Sequence, residues 1–264
     1  FQAAEVARAL MNIDLAPSKI DIGKLTWEYT QSGTKDVNAF VNTTLKNFIG
    51  QDKHNINPQD VVLYGFGRIG RIAARELVKQ AGKGQQLRLR AIALRSVNDE
   101  EVIKRAALLR NDSVHGKFKG AVIEDLANKA IWINGQMVKL IAANNPEDID
   151  YTAYGIQNAL VIDNTGVFTK RADLGRHLKA KGVSKVLLTA PGKELPNVVY
   201  GINHKDLDIE NEQLFSAASC TTNAICPILK VIEDKLGIER GHIETVHAYT
   251  NDQNLLDNYH KKPR

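Results

Sequence analysis

The chain has 264 residues, 43% hydrophobic and 25% charged, with a formal net charge of +5. These are ordinary globular proportions for one large or two ordinary domains. No apolar run approaches the roughly 20 residues of a membrane span, no secretory leader pattern opens the chain, and the scattered positive excess lacks any RNA-binding or zinc-finger signature. No membrane or nucleic-acid partner is therefore expected, and two cysteines expected to be free suit a reducing cytoplasm.

Residues 1–58 read as a helical N-terminal extension. Ala3–Met11 is a short helix candidate. Val37, Phe40, Val41, Leu45 and Phe48 form an amphipathic stripe that Gly50 should stop. From Asp60 the pattern changes. Val61–Tyr64 is an apolar strand, Gly65-Phe66-Gly67-Arg68-Ile69-Gly70 follows at once, and Arg71–Gln80 reads as a helix. Leu87–Leu94 is a second strand and Glu101–Arg110 a helix. Asn134-Gly135 between two apolar runs predicts a hairpin. Leu160–Ile162 and Val186–Thr189 are further strands, with a helix over Asp173–Lys181 between them. Strands alternating with helices predict an α/β protein with a doubly wound parallel sheet. The expected domains are the extension (1–58), a dinucleotide-binding domain (59–219) and the beginning of an α+β catalytic domain (220–264).

The glycine turn sits between a strand and a helix, the context that gives this motif meaning. Gly65, Gly67 and Gly70 permit a tight turn, close approach of a pyrophosphate and close packing of helix on strand. The pyrophosphate would lie at the helix N-terminus, where unpaired N–H groups point outward. Asp99 is the candidate for the ribose hydroxyls, at an offset from Gly70 of 99 − 70 = 29. The usual offset is about 20, and an insertion at Gly82–Gln86 accounts for part of the excess. A carboxylate there would favour NAD over NADP, without excluding NADP. The competing reading of Asp99 is an exposed turn acid.

Cys220 follows a predicted strand, Gln213–Ala217, and opens a predicted helix, Thr221–Leu236. A lone cysteine in such a place is more often a small buried residue than a nucleophile. Here a helix N-terminus would favour the thiolate and a developing oxyanion, and His247 follows at the end of the next strand-like run as a proton-handling partner. The chain's other cysteine, Cys226, lies six residues on, about 9 Å along a helix and beyond disulfide reach. Both thiols are expected to be free, Cys226 as a packing residue. His54, His177, His204, His242 and His260 show no metal-ligand spacing, so no metal is expected.

Six segments occur in a recognisable order: Gly65–Arg71, Asp112–Gly116, Thr165–Thr169, Ala190–Gly192, Gly201–His204 and Ala218–Asn223. Together they resemble the phosphorylating glyceraldehyde-3-phosphate dehydrogenases, from about Val61 to Arg264. The resemblance implies a homotetrameric, NAD-dependent enzyme that uses a sugar phosphate and inorganic phosphate. It implies that Cys220 forms a hemithioacetal and then an acyl thioester, with His247 as its partner. Ser219, Cys220, Thr221 and Thr250 match substrate and phosphate positions. Gly65, Gly67, Arg68, Ile69, Gly70, Asp99, Thr165 and Thr189 match cofactor positions. Tyr64 stands where the family has Asn, and Ala224 where it commonly has a second cysteine. The Asn251–Asp257 segment also resembles erythrose-4-phosphate dehydrogenases, which keeps that substrate open. Because the family's catalytic domain is longer, a continuation beyond Arg264 is expected, and residues 1–264 alone are not expected to turn over. A non-catalytic NAD-binding or interaction module is the reading from another class.

Overall fold

The computed structural model describes residues 2–15, 20–50, 58–80 and 87–247. The chain forms two compact units, residues 1–58 with 79–88, and residues 59–78 with 89–264.

In the first unit, helices α1 (Gln2–Met11), α2 (Ile22–Gln31) and α3 (Val37–Thr44) bury Val6, Ala9, Leu25 and Val41 together. Asp21 and Asp36 start α2 and α3, their carboxylates accepting backbone N–H groups of the first turn. α3 ends earlier than its apolar stripe suggests. The Asn42 and Thr43 side chains donate to the carbonyls of Asn38 and Ala39, and such back-bonding residues are poor helix formers. Phe48 consequently lies beyond the helix and is half exposed.

The second unit is built on a sheet. β1 (Gln59–Tyr64) leads into α4 (Arg68–Gln80), and β2 (Leu87–Leu94) into α5 (Asp99–Arg110). A small ladder of β3 (Asn111–Asp112) and β4 (Gly116–Lys117) follows. Then come β5 (Val122–Asp125), β6 (Ala130–Ile133) and β7 (Gln136–Ala142), the last two joined by the predicted Asn134-Gly135 turn. β8 (Ala159–Asp163), the one-turn helix α6 (Arg171–Leu174), β9 (Val183–Leu188), β10 (Leu214–Ser216) and the long helix α7 (Cys220–Leu236) complete the described elements. The sheet order is β10-β9-β8-β1-β2-β7-β6-β5. β10–β9, β9–β8, β8–β1 and β2–β7 pair in parallel, and β7–β6 and β6–β5 antiparallel. The fold is thus the expected α/β class with a mostly parallel sheet, carrying an antiparallel edge.

β1 is buried on both sides because alternate side chains enter two cores. Val61 and Leu63 pack with Ala74 of α4 and Val102, Ala106 and Leu109 of α5. Val62 and Tyr64 pack on the other face with Ile149, Tyr151 and Leu174. The segment predicted as one helix over Asp173–Lys181 is instead α6 followed by a 3-10 turn, Gly175–Lys179. Three residues per turn stacks positions i and i+3. This brings Leu174 and His177 to the same face, and both are fully buried. No residue of α7 is buried among the described residues, and Ile228, Val231 and Leu236 are largely exposed.

Candidate active site

The glycine turn runs from β1 into α4 at the carboxyl edge of the sheet, where β8 and β1 part to left and right connections. Gly65 has φ +88°, a conformation suited to glycine. A Cβ on Gly65 would lie 2.9 Å from Thr165 Cγ2, and one on Gly70 would lie 2.5 Å from the Gly65 carbonyl oxygen. The glycines therefore let the turn fold under the first turn of α4 and against the loop after β8. Arg105 of α5 donates to the Phe66 carbonyl at 3.0 Å and ties the turn from behind. Arg68 and Ile69 open α4, with Ile69 half exposed and Arg68 Nε 3.9 Å from Asp112 Oδ2.

Asp112 anchors the family-like segment that follows α5. It accepts the Val114 and His115 amides at 3.0 and 2.8 Å and faces the buried Arg71 at 3.5 Å. Burial alone would raise its carboxyl. The hydrogen bonds from His115 and Val114 and the Arg68 charge outweigh that and hold it well below the usual carboxylate range.

The loop after β8 is organised by Asp163, which is fully buried. Its Oδ1 accepts both the amide and the hydroxyl of Thr165, at 2.8 and 2.7 Å. Its Oδ2 lies 2.9 Å from Nε2 of the equally buried His177. Thr189, after β9, donates its amide and hydroxyl to the Asp163 carbonyl, each at 3.0 Å, and its hydroxyl lies 3.3 Å from Asn164 Oδ1. Thr165 and Thr189, predicted as cofactor-lining, are thus gathered on one side of the glycine turn. Tyr64 closes this region from β1, its ring centroid 4.6 Å from His177. Burial first, and the Asp163 charge second, push its phenol up to about 12.

Asp99 stands apart. It occupies the first helical position of α5, after the N-cap Asn98, and its carboxylate pairs with Lys129 Nζ.

Cys220 is the first residue of α7, and its helix start is strongly specified. Ser216 Oγ donates to the Ala190 carbonyl at 2.6 Å and accepts the Ala218 amide at 2.9 Å. Ala218 takes φ +60°, unusual for a residue with a side chain. Ser219 is the N-cap, its Oγ accepting the Thr222 amide at 3.0 Å. Asn223 Nδ2 donates back to the Ala217 and Ser219 carbonyls at 2.7 and 2.9 Å. The Ser219 carbonyl also takes the Asn223 amide, which leaves the Cys220 and Thr221 amides at the open helix end. Cys220 is exposed and free, and its Sγ lies 3.5 Å from His247 Nε2. The same nitrogen is 3.3 Å from Thr221 Oγ1. Cys220, His247, Ser219 and Thr221 are therefore assembled as expected, whereas Thr250 lies outside the described residues. Cys226 is partly buried and lines a cleft of about 340 Å³ with Pro191, Gly192, Asn197 and Thr222. Sequence reading passed over Asp163 and gave His177 no role. Neither carries a local motif, and their pairing depends on the packing of the 3-10 turn against β8.

A doubly wound sheet whose glycine turn opens a helix, followed by a helix-end cysteine beside a histidine, is the architecture of a dinucleotide-binding domain with a candidate thiol site. Residues 59–171 match the NAD-binding domain of glyceraldehyde 3-phosphate dehydrogenase, and residues 219–264 match the C-terminal domain of the same family. The chain is 47% identical over 262 residues to a glyceraldehyde-3-phosphate dehydrogenase-like protein of Pseudomonas aeruginosa, covering 98% of this chain and 57% of that protein. It is 40% identical over 203 residues to glyceraldehyde-3-phosphate dehydrogenase of Clostridium pasteurianum, covering 76% and 57%. It is 39% identical over 205 residues to glyceraldehyde-3-phosphate dehydrogenase 1 of Bacillus subtilis, covering 77% and 57%. The chain belongs to the glyceraldehyde-3-phosphate dehydrogenase family, and its cofactor is NAD. It spans a little over half the length of these relatives. The match to the P. aeruginosa protein covers nearly the whole chain, so it includes the N-terminal helices as well.

Proposed function

We propose that the whole protein oxidises and phosphorylates glyceraldehyde 3-phosphate to 1,3-bisphosphoglycerate through a thioester on Cys220. The observation that carries this reading is the 3.5 Å approach of Cys220 Sγ to His247 Nε2 at the open end of α7. Gly65, Gly67, Arg68, Ile69 and Gly70 hold the pyrophosphate, and Thr165 and Thr189 line the same cofactor. A Cβ at Gly65 or Gly70 would collide with Thr165 or with the Gly65 carbonyl, so the glycines let the turn pack closely and present the α4 N-terminus to a pyrophosphate. Bound NAD supplies the hydride acceptor.

His247 takes the thiol proton as Cys220 Sγ bonds to the aldehyde carbon. The Cys220 and Thr221 amides, with the positive end of α7, stabilise the oxyanion that forms. Once the substrate carbon is oxidised, Cys220 holds an acyl thioester. Attack by inorganic phosphate breaks the C–S bond and returns Cys220 as thiolate. Ser219 and Thr221 supply hydroxyls to the substrate and the attacking phosphate at a helix end suited to anions, and Thr250, outside the described residues, is assigned the same role from the family resemblance alone. The setting is a cytoplasmic homotetramer. Full-length protein is to be assayed for phosphate-dependent NADH formation with glyceraldehyde 3-phosphate and, in parallel, erythrose 4-phosphate. Faster turnover of the triose, abolished by Cys220→Ser, supports the reading. A higher specificity constant for the tetrose transfers it to erythrose-4-phosphate oxidation, and folded, NAD-binding protein inert towards both overturns it.

A further inference from the structure

In a doubly wound sheet the adenosine lies at the carboxyl end of the second strand, beside the glycine turn. The residue at that place is Arg95, the first after β2. The Gly65 amide donates to the Ala93 carbonyl at 3.0 Å, which fixes the turn and the strand end side by side, with Arg95 two residues from the bond. The Arg95 charge is felt by the phenol of Tyr64, the last residue of β1. Spacing agrees with this placement. Arg95 follows Gly70 by 95 − 70 = 25 residues, and setting aside the five residues of the Gly82–Gln86 insertion leaves the usual separation of about 20. Asp99 is four residues further on, within α5.

Of the three carboxylates that open α5, Asp99 pairs with Lys129 and Glu101 with Arg105, and Glu100 is exposed. Arg95 is exposed and makes no ion pair with a described residue. The carboxylate that could repel a 2′-phosphate, Asp99, is compensated by Lys129, which the turn between β5 and β6 presents. An arginine at this position is the device that accommodates a 2′-phosphate in dinucleotide sites, through the charge-assisted fork of N–H groups that matches phosphate oxygens.

We propose that Arg95 reads the 2′ position of the adenosine ribose and that the site takes NADP as well as NAD, with the guanidinium holding the 2′-phosphate. This rests on the dinucleotide reading of the glycine turn. The test is calorimetric binding of NAD+, NADP+, 5′-ADP and 2′,5′-ADP to full-length protein and to its Arg95→Gln and Arg95→Asp variants. Because the side chain is exposed, the variants keep the fold. Unmodified protein is expected to bind NADP+ at least as tightly as NAD+, and 2′,5′-ADP more tightly than 5′-ADP. Arg95→Gln should weaken NADP+ and 2′,5′-ADP tenfold or more and NAD+ less than threefold, with Arg95→Asp widening the gap. Raising salt should erode the NADP+ advantage. NAD+ bound tenfold more tightly than NADP+ by unmodified protein overturns the proposal. So does an equal loss for both cofactors in Arg95→Gln, which would make Arg95 an adenine-stacking residue. Either result leaves the dinucleotide site standing, whereas binding of neither cofactor overturns both readings.

Discussion

Replacing Gly70 with alanine adds one methyl group at the tightest point of the cofactor turn. The new Cβ would sit 2.5 Å from the Gly65 carbonyl oxygen, where ordinary contact begins near 3.4 Å. The shortfall of about 0.9 Å cannot be relieved by a side-chain rotation, because the opposing atom is backbone. Overpacking of this kind costs about 1–3 kcal/mol, and a rigid opponent places it near the upper end. Alanine in a helix recovers at most about 1 kcal/mol over glycine, and less in a first turn. The net loss is about 2 kcal/mol, or a Tm lower by about 4–8 °C for a unit of this size. The displacement also moves the N-terminus of α4 away from the pyrophosphate, so NAD affinity should fall tenfold or more. Gly135→Ala is the matched control. It has φ +76° and nothing within 4 Å of its Cβ, so it carries the strain of a left-handed residue, about 1–2 kcal/mol, with no effect on NAD. Differential scanning calorimetry and NAD titration read both variants. A Gly70→Ala protein with unchanged Tm and NAD affinity within twofold would refute the close-packing account of the turn.

Three further outcomes follow from particular contacts. Removing His177 leaves the buried Asp163 without its Nε2 partner, so His177→Leu should cost about 3–5 kcal/mol and His177→Gln less, read as urea midpoints; equal losses would count against the pairing. Asp112 is depressed in the folded state, so the stability it contributes is complete above its unfolded value of about 3.9 and is lost as pH falls towards the folded one. Asp112→Asn should therefore flatten the decline of urea midpoint below about pH 4, and an unchanged slope would contradict this. Iodoacetamide should label Cys220 before the half-buried Cys226, and His247→Ala should slow the first reaction only; identical rates at both cysteines would argue against a tuned thiol.

Much of this fold was written in contiguous sequence. β1, the glycine turn and α4 occupy 59–80 without interruption, so local pattern was enough to place the cofactor turn. The Ser219 cap and Asn223 back-bonds likewise fall within a few residues of Cys220, and the thiol was read at the helix start where it lies. What was not legible depends on distant partners. The segment Gly175–Lys179 takes 3-10 form with Leu174 and His177 both buried, and that burial rests on partners remote in sequence. The Asp163–His177 pair joins two residues, neither of which carries a motif. Asp99 was chosen as the acid that follows the second strand; β2 ends at Leu94, and Asp99 lies in the first turn of α5 paired with Lys129, a contact no local pattern announces. α3 stopped short for a local reason, its back-bonding Asn42 and Thr43, which an apolar stripe does not register.

Under the proposed function, Cys220 is expected to become acylated as NAD is reduced. Full-length protein is to be mixed with NAD+ and glyceraldehyde 3-phosphate without inorganic phosphate, quenched in acid and digested for mass spectrometry. A burst of about one NADH per site is expected, together with an acyl adduct on the Cys220 peptide that added phosphate discharges. Folded, NAD-binding protein that gives no burst, or an adduct at any residue other than Cys220, would contradict it.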